Sequence, residues 1–482
     1  VSGVGKMKEN VITAAILADN LADYITEELT DAYKETHWMQ YPANTRKVYS
    51  YLESRGGVFP ETTVFGTQYY LKKYLAGRVV THETIDEAIM DCEEVFGFKF
   101  FNEKGWRRIA DNGGTLPLMI RAVPEGMTVP VKNVLMTVEN TDDEAYFLPN
   151  FFEGLLELIW YPTTVCTLSR AIKTEIEGWA VKAGEHVSIV HLNDFGFRGA
   201  SSVETAGIGG MAHLVNFAGS DTLIGKRFAN KYYDAKLSQA PTLLSVYAAE
   251  HSTITSYGEE NELLAYQTVL GNAPDDAIVS MVIDSYDWKR AIDQYIGTDM
   301  YGQIMARKGK FVARPDSGDP KWVSVEVLES LWSHFGGHIN AKGYKVLDPH
   351  VGEIIGDNMS LNMIKEIMYD AVEKHRFAPS NIIFGMGGAL LQKVNRDTQS
   401  FAFKCSAIDI NGEWHDVYKR PVSDARKASK RGKLALSCED GHFATVNQSC
   451  IPHSDVLRLV FLNGEIMYRQ SFDGVRARAA LP

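Results

Sequence analysis

Short apolar runs recur from residue 187 onward, and each ends in a polar turn. The runs SIVHLNDFG (188–196), GSDTLIG (219–225), TLLSVYAAEHS (242–252) and IVSMVIDSYD (278–287) come first; KFVARPDSG (310–318), VGEIIGDN (351–358), NIIFGMGG (381–388) and FAFKCSAI (401–408) follow. Stretches of helical character at 259–270, 321–335 and 362–375 separate several of them. Strands alternating with helices, their polar residues gathered where strands end, predict a closed or nearly closed β/α barrel; a doubly wound open sheet has the same periodicity. The stretch 191–223 shows the unit most fully. An apolar strand over 187–192 ends in Asn193-Asp194-Phe195-Gly196-Phe197-Arg198-Gly199. A helix then starts at Ser201 or Ser202, with Glu204 placed to complete a capping box, and a second strand ends at Asp221.

Ahead of residue 187 the rhythm differs. Helical character covers 10–40, a strand alternates over 48–53, and helices follow at 65–76 and 85–95. Residues 118–138 give short strands broken at Pro124-Glu125-Gly126 and Pro130. Residues 146–183 form one long apolar helical region that Pro162 should break or bend.

Composition narrows the class. With 482 residues, 45% apolar and 23% charged, the chain has core enough for two or three domains. Its net charge of −12 argues against nucleic acid or an acidic membrane surface as a partner. Cys92, Cys166, Cys405, Cys438 and Cys450 are scattered without a C-x-x-C pair, which predicts reduced thiols in a cytoplasmic protein. No run is long enough to span a membrane and no leader is recognisable; residues 1–6, ahead of Met7, read as an extraneous scar. Residues 404–433 depart from the acidic trend. Lys404, Lys419, Arg420, Arg426, Lys427, Lys430, Arg431 and Lys433 stand against Asp409, Glu413, Asp416 and Asp424, as either a polyphosphate footprint or a solvated basic loop.

The strand-end turns carry the candidate chemistry. In Gly385-Met386-Gly387-Gly388 the absence of side chains lets backbone amides approach a phosphate, although a tight strand-to-helix turn also uses glycine. Arg396, further on, is a second phosphate contact or a surface residue. Arg314-Pro315-Asp316-Ser317-Gly318 sets a fixed cation beside a carboxylate, suited to phosphate oxygens and ribose hydroxyls or to an internal salt bridge. Gly356-Asp357 repeats the theme. Glu250-His251 ends another strand, where a histidine can serve as base or nucleophile and Asp284 can orient it. Phe195 and Tyr33 are flat faces that suit an aromatic ring, as they also suit a core. Asp194-Phe195-Gly196 copies a kinase triplet but lacks the accompanying kinase segments, and neither a Walker loop nor a strand-linked G-x-G-x-x-G occurs.

Taken together, the blocks TDAYKETHWMQYP, VYSYLESR, FNEKGW, DFGFRGASSVETAGIGGMAHLVNFAGSDT, AAEHSTIT, RPDSG and FGMGGALLQKVNRD resemble the nicotinamide phosphoribosyltransferase family, in order and over nearly the full chain. The resemblance implies a β/α-barrel-like type II phosphoribosyltransferase domain over 151–404. A smaller α+β sheet domain would be built from 7–150 together with 405–482. It implies transfer of phosphoribose from phosphoribosyl pyrophosphate to nicotinamide in NAD biosynthesis, Mg²⁺ carried on substrate phosphates, ATP as co-substrate, and a head-to-tail homodimer with shared active sites. By similarity Phe195 stacks on the pyridine ring and Tyr33 of the other subunit covers it, with Asp31 close by. Asp221 accepts from the carboxamide with Arg198 near. Arg314, Asp316, Gly356 and Asp357 hold the ribose and its phosphates; Gly387, Gly388 and Arg396 hold the 5′-phosphate; Arg55 and Lys419 meet phosphate oxygens. His251 takes a phosphoryl group from ATP, supported by Glu250 and Asp284. The chain departs from the family in its less glycine-rich 385–389 turn, a shorter loop before Glu61, and Arg420 after Lys419. A nicotinate-using transferase, a silent nucleotide-binding protein and another sugar-phosphate barrel enzyme are the alternatives, and a carboxylate at Asp221 disfavours the first.

Overall fold

A computed structural model describes residues 24–422, 428–451 and 455–480. Two sheets organise it. The first is antiparallel and seven-stranded, in the order Glu413–Asp416, Phe401–Ile410, Thr45–Ser54, Val134–Asn140, Leu118–Ala122, Arg458–Leu462 and Glu465–Ile466. Its central strand Thr45–Ser54 pairs with Phe401–Ile410 on one side and Val134–Asn140 on the other, so early and late parts of the chain are interleaved. Leu118–Ala122 alternates buried and half-buried positions, as a strand with one dry face does.

The second sheet is parallel, in the order Leu192–Asp194, Ile382–Met386, Val351–Ile355, Phe311–Arg314, Val279–Val282 and Tyr247–Ala248. Val279–Val282 and Val351–Ile355 are buried throughout, as parallel strands covered on both faces are; the buried Glu353 in the second accepts from Ser324 Oγ at 2.8 Å. Residues 218–221 close the ring. Asp194 N donates to Gly219 O at 3.1 Å and Asp221 N to Asp194 O at 2.9 Å on one side. Ser220 N donates to Leu244 O at 3.1 Å and Leu244 N to Ala218 O at 2.7 Å on the other. Parallel strands bring the carboxyl ends to one mouth, where Asp194, Asp221, Asp284, Arg314, Gly356 and Gly387 lie in or just beyond the strands.

Several expectations are corrected. The 187–192 strand shrinks to Leu192–Asp194, because Ser188 N donates to His191 Nδ1 at 2.6 Å and His191 N to Ser188 O at 3.1 Å, folding the preceding residues into a turn. Glu204 completes no capping box. Ser202 caps Val203–His213 through Thr205 N, while Glu204 Oε1 accepts from Tyr74 at 2.8 Å, from Lys73 at 2.6 Å and from Tyr69. Phe401–Ile410, expected as a last barrel strand, belongs to the antiparallel sheet. The long apolar region divides into Leu148–Phe151, Glu153–Glu157 and Trp160–Ala183, with Pro162 in the first turn of the last, where its missing N–H costs nothing. The helix after Gly387 stops at Leu391. Of the helical stretch expected over 10–40, residues before 24 lie outside the described residues, and Thr26–Glu28 and Ala32–Met39 are 3₁₀ turns. Arg426 and Lys427 also lie outside them.

Candidate active site

A cavity of about 520 Å³ opens at the mouth of the parallel ring. Its lining combines the rings of Phe195 and Phe197 with the charged side chains of Arg198, Asp221, Glu250, Arg314 and Asp316. Phe195 lies one residue past its strand, and its N–H donates to Met386 O at 3.0 Å. The ring lies against Gly385, where a Cβ would sit 2.2 Å from Phe195 Cε2, so this glycine is required by packing. At Gly387 and Gly388 the nearest protein atoms to such a Cβ are 3.6 and 4.0 Å away. Packing does not require glycine there, and both line the cavity. Asp221 faces the same space from the neighbouring stave, its Oδ1 accepting from Ser245 Oγ.

Arg314 closes its strand and Asp316 follows it two residues on. Burial pulls the Arg314 guanidinium below its ordinary pKa, while the carboxylates of Asp316, Asp284 and Asp221 oppose that shift. Its Nε is buried without a hydrogen-bond partner. Burial pushes the Asp316 carboxyl up; Arg314 and His251 pull it down, and Asp284 and Asp357 add to the rise. These interactions place His251, Asp284, Arg314, Asp316 and Asp357 in one electrostatic neighbourhood. His251 Nε2 lies 3.0 Å from Asp284 Oδ1; the aspartate side chain is 3% exposed and the imidazole 43%, so a buried anion orients an accessible ring. Glu250 lines the cavity and caps the short helix His251–Thr255, its side chain accepting from Thr253 N–H. Arg198 stands exposed on the turn Phe197–Gly199.

Other residues from the sequence reading do not line this cavity. Tyr33, Arg55, Arg396 and Lys419 belong to the antiparallel-sheet side, with Asp31 as the N-cap of Ala32–Met39. There Lys34 meets Glu153 at 2.5 Å, Lys404 lies 3.9 Å from Glu153, and Arg396 lies 3.8 Å from Glu157. Arg55 pairs with Glu53 at 3.0 Å, and Lys430 pairs with the same glutamate. Lys433 meets Glu139 at 2.8 Å. Much of the basic tail therefore neutralises carboxylates of its own sheet. Lys419 is exposed, with its backbone N–H on Ser429 Oγ at 2.8 Å.

Phe197, Gly199, Thr222 and Ser245 were not singled out from sequence. The first three line the cavity and the fourth bonds Asp221. Phe197 and Gly199 sit inside the Phe195–Arg198 turn and Thr222 follows Asp221, so adjacency was the available signal; a serine in an apolar run gives none. A larger cavity, about 670 Å³, lies along Trp160–Ala183 beside Arg170, Trp179, Lys182 and Lys365, away from the strand-end chemistry.

Comparison with known proteins bears on the family and the fold. Residues 190–464 match the model of the nicotinate phosphoribosyltransferase family, and residues 27–120 match that of the nicotinamide phosphoribosyltransferase N-terminal domain. A nicotinamide phosphoribosyltransferase of Xanthomonas campestris is 44% identical, covering 93% of this chain and 97% of its own. Another from Acinetobacter baylyi is 29% identical over 93% and 96%. Among solved structures, nicotinate-nucleotide pyrophosphorylase of Pyrococcus furiosus aligns with a TM-score of 0.60 at 15% identity over 94% of each chain. Human nicotinic acid phosphoribosyltransferase aligns at 0.51 and 14%, covering 94% of this chain and 92% of the other. At those identities the structures speak to fold alone.

Proposed function

Since the chain belongs to the nicotinamide/nicotinate phosphoribosyltransferase family, a family of pentosyltransferases, we propose that it joins nicotinamide to 5-phosphoribosyl 1-pyrophosphate, giving nicotinamide mononucleotide and pyrophosphate for NAD biosynthesis. One observation carries the choice of ring: Phe195 and Asp221 face one cavity from adjacent strand ends. The aromatic face stacks the pyridine. The carboxylate accepts from a carboxamide N–H and repels the carboxylate of nicotinate.

Stacking and the Asp221 hydrogen bond aim the ring nitrogen at C1 of the sugar. That nitrogen's lone pair forms the C–N bond as the C1–O bond to pyrophosphate breaks, and the leaving pyrophosphate keeps the electron pair. Positive charge develops on the sugar and negative charge on the leaving group, so the site must hold both partners in line and neutralise the phosphates. Arg314 and Arg198 supply fixed positive charge, Asp316 and Asp357 accept from the ribose hydroxyls, and the backbone at Gly387 and Gly388 cradles the 5′-phosphate. Mg²⁺ carried on the substrate phosphates would neutralise leaving-group charge; Asp316 and Asp357, which repel one another here, are the carboxylates suited to meet it.

His251 is the site of ATP coupling in this reading. With Nε2 engaged by Asp284, Nδ1 presents its lone pair to the γ-phosphorus; the N–P bond forms as the bond to ADP breaks. The separate cluster around Tyr33, Arg55, Arg396 and Lys419 completes the site in a head-to-tail homodimer, where a second copy brings Tyr33 over the pyridine and its cations onto the phosphates. The scattered thiols suit a cytoplasmic enzyme.

Product formation from phosphoribosyl pyrophosphate and Mg²⁺, with nicotinamide or nicotinate and with or without ATP, tests the proposal. Nicotinamide mononucleotide made preferentially, and faster with ATP, is the expected result. Preferred turnover of nicotinate would overturn the role of Asp221.

A further inference from the structure

Asp194 is a carboxylate with 0% exposure that does not line the cavity, yet both ring-contacting segments are bonded to it. On the aromatic side its Oδ1 accepts from Gly196 N–H at 2.7 Å, holding the backbone one residue past Phe195. On the amide-reading side its carbonyl accepts from Asp221 N–H at 2.9 Å, and its Oδ2 accepts from Ser220 Oγ at 3.3 Å. Ser220 Oγ in turn accepts from Thr222 N–H at 3.0 Å, so both residues flanking Asp221 are tied to this side chain directly or through one hydroxyl. Little room is left for the carboxylate to move. A Cβ added at Gly196 would lie 2.9 Å from Asp194 Oδ1, and one at Gly210 3.4 Å from Oδ2.

The support extends one layer deeper. His213, wholly buried, lies between Ser169 Oγ and Gly219 O, each at 3.0 Å. Gly219 O is the atom that accepts Asp194 N–H. Burial depresses the imidazole's pKa, and a neutral ring donating from Nε2 to the carbonyl and accepting from Ser169 at Nδ1 satisfies both contacts. Burial also pushes the Asp194 carboxyl up, while His213 and the hydrogen bonds from Gly196 and Ser220 pull it down.

We infer that Asp194 is a positioning residue that fixes the spacing between the stacking face of Phe195 and the carboxylate of Asp221, and through it the discrimination of amide from acid. The inference rests on the nicotinamide reading above. Misplacement of a reacting group by about 1 Å costs on the order of a hundredfold in rate, so a device that sets this spacing is felt without touching substrate.

The test compares wild type, Asp194→Ala, Asp194→Asn and Ser220→Ala in steady-state assays with nicotinamide and nicotinate, alongside thermal melts. Wild-type turnover of nicotinamide comes first: its absence removes the reaction assignment, and the inference with it. Given that turnover, Asp194→Ala is expected to raise KM for nicotinamide about tenfold and lower the amide-to-acid preference by a similar factor. KM for phosphoribosyl pyrophosphate should stay within about twofold. Asp194→Asn, which still accepts from Gly196 and donates toward Ser220, should recover most of the preference. Ser220→Ala, a smaller loss confined to the Asp221 side, should raise KM for nicotinamide about threefold and decides the matter if Asp194→Ala does not fold. A folded Asp194→Ala or Ser220→Ala enzyme with unchanged preference overturns the inference, as does an equal loss toward both substrates.

Discussion

The barrel mouth and the basic face of the antiparallel sheet are both charged, and they handle charge in opposite ways. At the mouth, Arg314 is half-buried with a buried Nε lacking any hydrogen-bond partner, and neither it nor Arg198 forms an ion pair among the described residues. On the sheet face, Arg55, Arg396, Lys404, Lys430 and Lys433 each already meet a carboxylate. Cations that form no contact ion pair are free to meet a ligand's charge without first giving up a partner. Cations already shared with glutamates must exchange partners before they help a phosphate, so each is worth less. Catalytic strength should therefore concentrate at the mouth, and in the proposed homodimer the sheet face would complete the site from a second copy.

The largest effect follows directly. Arg314→Ala should lower kcat/KM by about a thousandfold, the upper range for losing one preorganised charge contact, whereas Arg396→Ala should lower it by about tenfold. Mixing the two impaired chains separates the regions further. If the two clusters meet only across a dimer, mixed dimers carry one site with both residues intact, and activity should return to about a quarter of wild type under random exchange. Assaying the mixture after subunit exchange checks this; no recovery would mean that both residues serve one site within a chain.

Asp221→Asn comes next. The amide replaces a carboxylate that accepts from N–H and repels an acid, so nicotinamide turnover should fall about tenfold while nicotinate turnover rises, measured as the ratio of kcat/KM values. A smaller effect is expected at His251→Ala. ATP stimulation should vanish while transfer without ATP stays within about twofold of wild type. Retained stimulation would place the phosphoryl acceptor elsewhere.

What was legible in the sequence divides along the same line. Phe195, Asp221, His251, Arg314 and Gly387 each follow a largely apolar run, so a strand end and its chemistry are local in sequence. An apolar run does not say which sheet it joins. Phe401–Ile410 has barrel-like composition, but it pairs with Thr45–Ser54. Glu204 occupies a position suited to capping, yet Tyr69, Lys73 and Tyr74 claim it. The ion pairs of Lys404 and Lys430 depend on glutamates hundreds of residues away, which no local pattern reveals. Asp194 was read as part of a turn; its clamp on both flanks of the ring site exists only once residues 218–221 lie beside it.

The smallest effect concerns what holds the sheet-side cluster in place. Tyr33 lies on Ala32–Met39, and on the same segment Glu35 faces Glu28 and Glu27, close to Asp91 beside a cavity of about 170 Å³. Burial, and then Glu28 and Glu27, push the Glu35 carboxyl up to about 8; burial, and then Asp91, push Glu28 up to about 7. A carboxyl whose folded pKa exceeds its unfolded value binds more protons folded than unfolded. Its contribution to stability is complete below about pH 4.5 and is lost as pH rises through the folded pKa, here toward pH 8. Glu35→Gln keeps the shape of the protonated acid and removes the titration. The variant should therefore melt near wild type at pH 5 and about 2 °C higher at pH 8.5. Because the segment carries Tyr33 and not the barrel mouth, KM for nicotinamide at pH 8.5 should also fall slightly, with the His251-dependent ATP stimulation unchanged. A melting difference of equal size at both pH values would mean that the carboxyl is not what loosens this segment, and that the sheet-side cluster is held by its ion pairs alone.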